Sequence, residues 1–259
     1  MTTLLERLTR PVTAEVRKVT TLRWCVLLAA LLPAVALVAS SVTAGMAGPV
    51  DPRAQPVTGP ATIGLLLAIL ATVLGAGAFG AAMTGGEFRY GSMPLTVVFT
   101  PDRDRLVAAK LLVIAVAALA VALVTELVAL ACLFLFGRGA FDVDGRLWAT
   151  LGAGLFATVC WALIGAGLGL ILRTSTGAIA TLIGWLLIGE PLVWLVAKGI
   201  GLGGLATLLP GSATVGTVAV GSFEDAGIFA PTPAALVVLA LWAIASAGAG
   251  WWLLRERDL

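Results

Sequence analysis

Two carboxylates stand inside apolar runs, Glu126 and Glu190, the second followed directly by Pro191. A carboxylate in hydrocarbon is costly, so such a residue faces other helices, finds a partner or is neutralised, and it marks a pathway by default. Two readings stand for each. One is a polar site on a route through the membrane. The other is a neutral carboxyl hydrogen-bonded between helices for packing. Glu190-Pro191 also reads as a helix break. No Lys or Arg lies well inside an apolar run, so Ser, Thr or protonation must serve these acids in place of a cation. Histidine is absent, which removes the commonest general base and metal ligand. Cys25, Cys132 and Cys160 lie in apolar runs without CxxC spacing and read as small packing residues. There is no GxxxxGK[ST] phosphate loop, no Ser/His/Asp set and no HExxH. The sequence thus offers no recognisable catalytic set, and no metal site is expected. It shows no means of its own to hydrolyse ATP.

The elements that must position the two acids are membrane helices. Of 259 residues, 60% are hydrophobic and 12% charged, and mean hydropathy is +1.07. Soluble domains carry about 25% charged residues. Apolar runs of about 20 residues are long enough to cross a bilayer. The expectation is an all-α integral membrane protein with six transmembrane helices, over 22–44, 61–84, 106–136, 147–172, 177–197 and 232–254. A β-barrel would show short alternating segments instead.

Residues 1–20 predict an interfacial helix. Leu4, Leu5, Leu8, Val12, Val16 and Val19 share one face, and Arg7, Arg10, Arg17 and Lys18 the other. Pro11 would interrupt a single straight helix and allows two short pieces, the second with Pro at its first position. No compact apolar core precedes the first span, so no signal peptide is expected. Pro33 is a candidate kink in the first span. The third span predicts an early start, with Thr100 as N-cap and Pro101 at the first position. Thr232-Pro233 plays the same part for the sixth. Residues 198–231 are apolar but rich in glycine and split by Pro210. Each half is too short to cross a bilayer, which predicts a re-entrant pair of short helices before the last span.

Six spans put both termini on one side. That side carries Arg7, Arg10, Arg17, Lys18, Arg23, Arg89, Arg103, Arg105, Lys110, Arg173, Arg255 and Arg257, against Arg53, Arg138, Arg146 and Lys198 on the other. Cytoplasmic loops carry the excess of Lys and Arg. Both termini and the polar stretch 85–110 are therefore expected in the cytoplasm, and the glycine-rich pair outside. No basic tail points to nucleic acid. Trp24, Trp148, Trp251 and Trp252 fit interfacial belts, while Trp161, Trp185, Trp194 and Trp242 read as core filling or, less directly, as aromatic contacts to a substrate. Small-residue pairs (Gly165 and Gly169, Ala76 and Gly80, Ser246 and Gly250) predict close helix packing, within one chain or between two.

Several segments together resemble the membrane subunit of ABC-2-type transporters. AEVRKVTTLRW resembles the polar element before the first span in that family. Glu87-Phe88-Arg89-Tyr90-Gly91-Ser92 resembles its motif after the second span. PDRDRLVAAK, the Leu172-Arg173 turn and Leu209-Pro210-Gly211 resemble, in order, the start of the third span, the junction of the fourth and fifth, and the re-entrant pair. The resemblance covers nearly the whole chain. It implies a cell-membrane permease, not itself an enzyme, whose loop 85–105 contains a coupling helix docked on a separate ATP-binding subunit. ATP and Mg would be held by that partner. A second permease copy or a homologous permease would complete the transporter, which moves an amphipathic substrate outward. Carried onto this chain, Glu87, Phe88, Arg89, Tyr90, Met93 and Pro94 are the coupling candidates. Aromatic, Met and Arg side chains suit an interface core. The competing readings are a non-transporting membrane anchor of a signalling complex and an intramembrane enzyme using Glu126 or Glu190.

Overall fold

A computed structural model describes residues 4–47, 60–93, 102–137, 141, 143–220 and 229–256, and the side chains of all of these except 4–10 and 60. The described residues are helical, with no strand among them. Six helical stretches are long and apolar enough to cross a membrane. The chain is thus an all-helical, multi-pass membrane protein by length and composition.

A helix α1 (Leu4–Thr21) is followed by α2 (Arg23–Met46), the break falling at Leu22 in extended backbone. Then come α3 (Ile63–Arg89), α4 (Arg103–Phe136) and α5 (Gly145–Leu172). The next span is composite. Its halves α6 (Ser175–Gly184) and α7 (Glu190–Gly199) are joined by a π-helical turn, Trp185–Gly189. A 3-10 turn (Gly203–Leu208) and α8 (Pro210–Val218) precede the last helix, α9 (Thr232–Glu256).

Three expectations about these elements need correction. Pro11 lies inside one continuous α1. The α4 N-cap is Asp102, not Thr100: its side chain accepts from the Arg105 N–H at 3.2 Å, and a carboxylate is a strong acceptor at a helix start. Thr100 and Pro101 themselves lie outside the described residues. Thr232 does not cap α9; its hydroxyl donates to the Gly216 carbonyl at 3.1 Å. The interruption read at Glu190-Pro191 is present as the π-helical turn, since α6 ends at Gly184 and α7 starts at Glu190 with Pro191 in its first turn. Proline removes the N–H that Leu187 would receive, and the wider turn absorbs the loss, with the Glu190 N–H bonding to the Trp185 carbonyl. Pro33 sits within an unbroken α2.

α3 and α5 form the centre of the bundle. A Cβ on Gly80 would collide with the Ala162 carbonyl, one on Gly165 with the Gly77 carbonyl, and one on Gly169 with Thr84 Oγ1. Only glycine permits this approach. The Thr84 hydroxyl crosses to the Ala166 carbonyl at 2.9 Å. Gly167 points the other way and receives α9, where Gly250 in turn lies 2.9 Å from the Gly167 carbonyl, measured from its hypothetical Cβ. The small-residue pairs therefore serve packing within the chain. α2 buries one stripe, Cys25, Leu32, Ala36, Ser40 and Ala44, and exposes Val26, Leu27 and Leu31. α6 and α7 are the least covered span, with Leu187, Ile188 and Leu195 exposed.

Candidate functional site

The charged residues gather at one end of the bundle, where α1, α3 and α4 meet. Lys110 of α4 donates to Glu87 Oε1 of α3 at 2.6 Å and to Glu15 Oε2 of α1 at 3.1 Å. Lys18 donates to Glu15 Oε1 and to Glu87 Oε1, both at 2.7 Å. Two ammonium groups and two carboxylates thus close a neutral ring. Its core is buried: the side chains of Lys110 and Glu15 are 1% and 2% exposed, and only Lys18 reaches the rim at 34%. Burial favours the uncharged amine of Lys18, but hydrogen bonds and attraction from Glu15 and Glu87 outweigh it and raise Lys18 above the ordinary lysine value. One oxygen, Glu87 Oε2, is buried and takes no hydrogen bond among the described residues.

The ring reshapes the reading of α1. Its inward stripe is Pro11, Glu15 and, partly, Lys18, at spacings of four and three residues. Val16 is 43% exposed on the outer side. α1 is therefore docked by charge and by Val19, with Val16 on its outer side. Arg7 and Arg10 lie where side chains are outside the description.

α3 runs five residues past the expected boundary at 84, so Glu87, Phe88 and Arg89 are helical rather than part of a loop. The helix stops by a Schellman motif. The Gly91 N–H bonds to the Phe88 carbonyl at 3.3 Å, and the Ser92 N–H bonds to the Glu87 carbonyl at 3.0 Å. Gly91 has φ +63°, the left-handed conformation that glycine adopts without a Cβ penalty. This stop sorts the coupling candidates. Glu87 turns inward to the ring. Met93 is 1% exposed and packs with Leu106, Val107, Leu170 and Leu254. Phe88 is half-buried beneath the Arg173 guanidinium, 5.4 Å from its ring centroid. Arg89 and Tyr90 alone of the five point out, Tyr90 at 80% exposure with Arg89 6.0 Å from its ring centroid. Pro94 lies outside the described residues.

Neighbouring contacts stiffen the same end. Arg173 closes the turn between α5 and α6 at φ 54°, a conformation that costs a non-glycine residue about 1–2 kcal/mol. Arg103 donates to the Leu254 carbonyl at 2.9 Å, and Trp251 donates to Asp104 at 2.9 Å, tying the start of α4 to the end of α9.

The two span carboxylates have separate settings. Glu190 is 3% exposed and accepts the Gly211 N–H at 2.5 Å, and its carboxylate lies at the start of α8. It thereby caps the N-terminus of α8, where a carboxylate suits the helix dipole. Three tryptophans read as core filling bind the same segment. Trp161 donates to Thr214 at 2.7 Å, Trp194 to Ser212 at 2.9 Å and Trp242 to the Leu208 carbonyl at 2.8 Å. Glu126 is 6% exposed and lies over Gly154 of α5 and Ile69 of α3, since a Cβ on Gly154 would meet Glu126 Oε1. It has no hydrogen-bond or ion-pair partner among the described residues.

Sequence reasoning missed Glu15, Lys18 and Lys110 as partners of Glu87. The available signal was a Lys one turn inside a long apolar helix, which requires a counter-charge. Compared with known proteins, the chain matches no family model and no curated sequence.

Proposed function

We propose that this chain is the permease subunit of an ATP-driven exporter of the ABC-2 kind, set in the cell membrane with both termini in the cytoplasm. A separate ATP-binding subunit supplies the energy, and a second permease completes the transporter. The observation that carries this reading is the end of α3. A Schellman stop presents Arg89 and Tyr90 to water directly above a buried ionic ring that joins α1, α3 and α4. A push on such a tip moves three helices together, because burying or splitting the ring's charges is costly. α1, with its exposed Val16 side, lies in the headgroup plane beside the same partner. The 3-10 turn and α8 form the re-entrant pair at the outer side, held by Glu190 and three tryptophans. The substrate is amphipathic, in keeping with the apolar, poorly covered faces of α2, α6 and α7.

The test is isolation of the intact complex in mild detergent. The expected result is a phosphate-loop ATPase in stoichiometric amount, with ATP hydrolysis reduced tenfold or more by Arg89→Glu with Tyr90→Ala. A fully functional chain that holds no ATPase would overturn the proposal. Association without ATP-driven substrate movement in vesicles would mark an anchor instead.

A further inference from the structure

A cavity of about 300 Å³ lies between α2, α3, α4 and α5. Its wall includes Cys25, Leu32, Phe79 and Ala118, with the hydroxyls of Thr72 and Thr158 the polar groups at its inner end. No charged residue lines it. Val26 of α2, which is 53% exposed, and Val19 and Thr20 at the end of α1 complete its lining. Both threonine hydroxyls donate to their own helices, to the Ala68 and Gly154 carbonyls at 2.7 and 2.8 Å. They face a guest only as acceptors.

The three helices that wall the inner end converge on Glu126 about one turn further along. Val121 to Glu126 is about 7.5 Å of rise on α4, Thr158 to Gly154 about 6 Å on α5, and Thr72 to Ile69 about 4.5 Å on α3. Gly154 and Ile69 are the residues over which Glu126 lies. The carboxyl is nine-tenths buried and lacks a partner among the described residues. A buried carboxylate is stabilised only by a counter-charge and hydrogen bonds, and the surrounding helices supply neither here. The carboxyl and the two hydroxyl acceptors together ask for one kind of guest, a cationic donor on an apolar body.

We infer that this cavity and Glu126 form a binding site for lipophilic amines. The apolar body fills the cavity. The nitrogen reaches past Thr72 and Thr158, takes the carboxyl proton of Glu126 and remains as an ammonium paired to the carboxylate. No net charge is carried into the hydrocarbon by an amine that arrives as its free base. The site belongs to this chain alone and does not depend on the transport reading.

The test uses two photoactivatable probes of one skeleton, an aryl-alkylamine bearing a diazirine and the corresponding alcohol. The full chain is held in nanodiscs of zwitterionic lipid, and labelled residues are mapped by mass spectrometry. In the unaltered chain the amine should label the cavity wall at least tenfold more than the alcohol. Glu126→Gln should abolish that preference while leaving alcohol labelling unchanged. Val121→Trp, at a half-buried position, should fill the site and reduce labelling by both probes at least fivefold. Equal labelling by the two probes, or an amine preference that survives Glu126→Gln in folded protein, would overturn the inference. If Glu126→Gln does not fold, the probe preference of the unaltered chain and its loss in Val121→Trp decide the matter.

Discussion

Two of the places where the bundle buries carboxylates have opposite chemistry. At the α1 end, Glu15 and Glu87 are balanced by Lys18 and Lys110, four side chains from three helices. Toward the other end, Glu190 has no cation beside it among the described residues. It is held by the N–H group of Gly211. A charge ring ties together elements far apart in the chain and resists separation, because each broken pair leaves a buried ion. A helix-capping carboxylate holds one short element and releases it at lower cost. The difference separates a joint that resists separation from a clamp that releases more readily. The ring suits a rigid joint. The clamp on α8 suits a segment that shifts while its host span stays in place.

The sharpest way to break this contrast is Lys110→Met. Two carboxylates then share only the half-exposed Lys18, and a loss of about 3–5 kcal/mol of bundle stability is expected, read from thermal or denaturant unfolding in detergent. Adding Glu87→Gln to Lys110→Met should cost less than the sum of the two single changes, since the orphaned charge is removed. An additive pair would deny the ring. At the other end Glu190→Ala should cost less, about 1–3 kcal/mol, from an unpaired N–H group at the start of α8. Its separate signature is faster proteolysis or hydrogen exchange confined to 203–218. A loss at Glu190 equal to that at Lys110 would erase the distinction between joint and clamp.

Smaller still is Gly91→Ala, at φ +63°. It should cost about 1 kcal/mol and should weaken attachment of the ATP-binding subunit more than it weakens the fold. The smallest effect comes from pH. Lys18 has its folded value raised above the ordinary lysine value of 10.5. Its contribution to stability is therefore fully present below that value and is lost as pH rises through the higher folded one. Stability should show no step from Lys18 near neutrality and should fall in the strongly alkaline range. Lys18→Met should flatten that fall.

Six spans were legible because apolar length is a local property that needs no partner. The polar end of α3 was not, because EFRYGS reads as a loop until the Gly91 turn shows that the helix persists to Arg89. The signal was present in a glycine two residues past the last helical position. The ring was invisible for another reason. Glu15 and Lys110 are 95 residues apart in sequence, and nothing local reveals their contact. Trp161, Trp194 and Trp242 looked like filling because their bulk is apolar, yet each spends its N–H on the 208–214 segment. Composition counts such a side chain as hydrophobic and overlooks its single donor. The Asp102 cap failed for want of a rule between neighbours, with Thr100 and Asp102 both eligible and the carboxylate the stronger acceptor.

The central claim is that Arg89 and Tyr90 meet an ATP-binding subunit. It is tested most directly by a photocrosslinking residue placed at position 90 and, for comparison, at position 46, where Met46 is 81% exposed at the opposite end of the bundle. The account predicts a crosslink from position 90 to a phosphate-loop ATPase, strengthened or weakened by ATP, and none from position 46. A crosslink to that ATPase from position 46, or its absence from position 90 in an active complex, would contradict it.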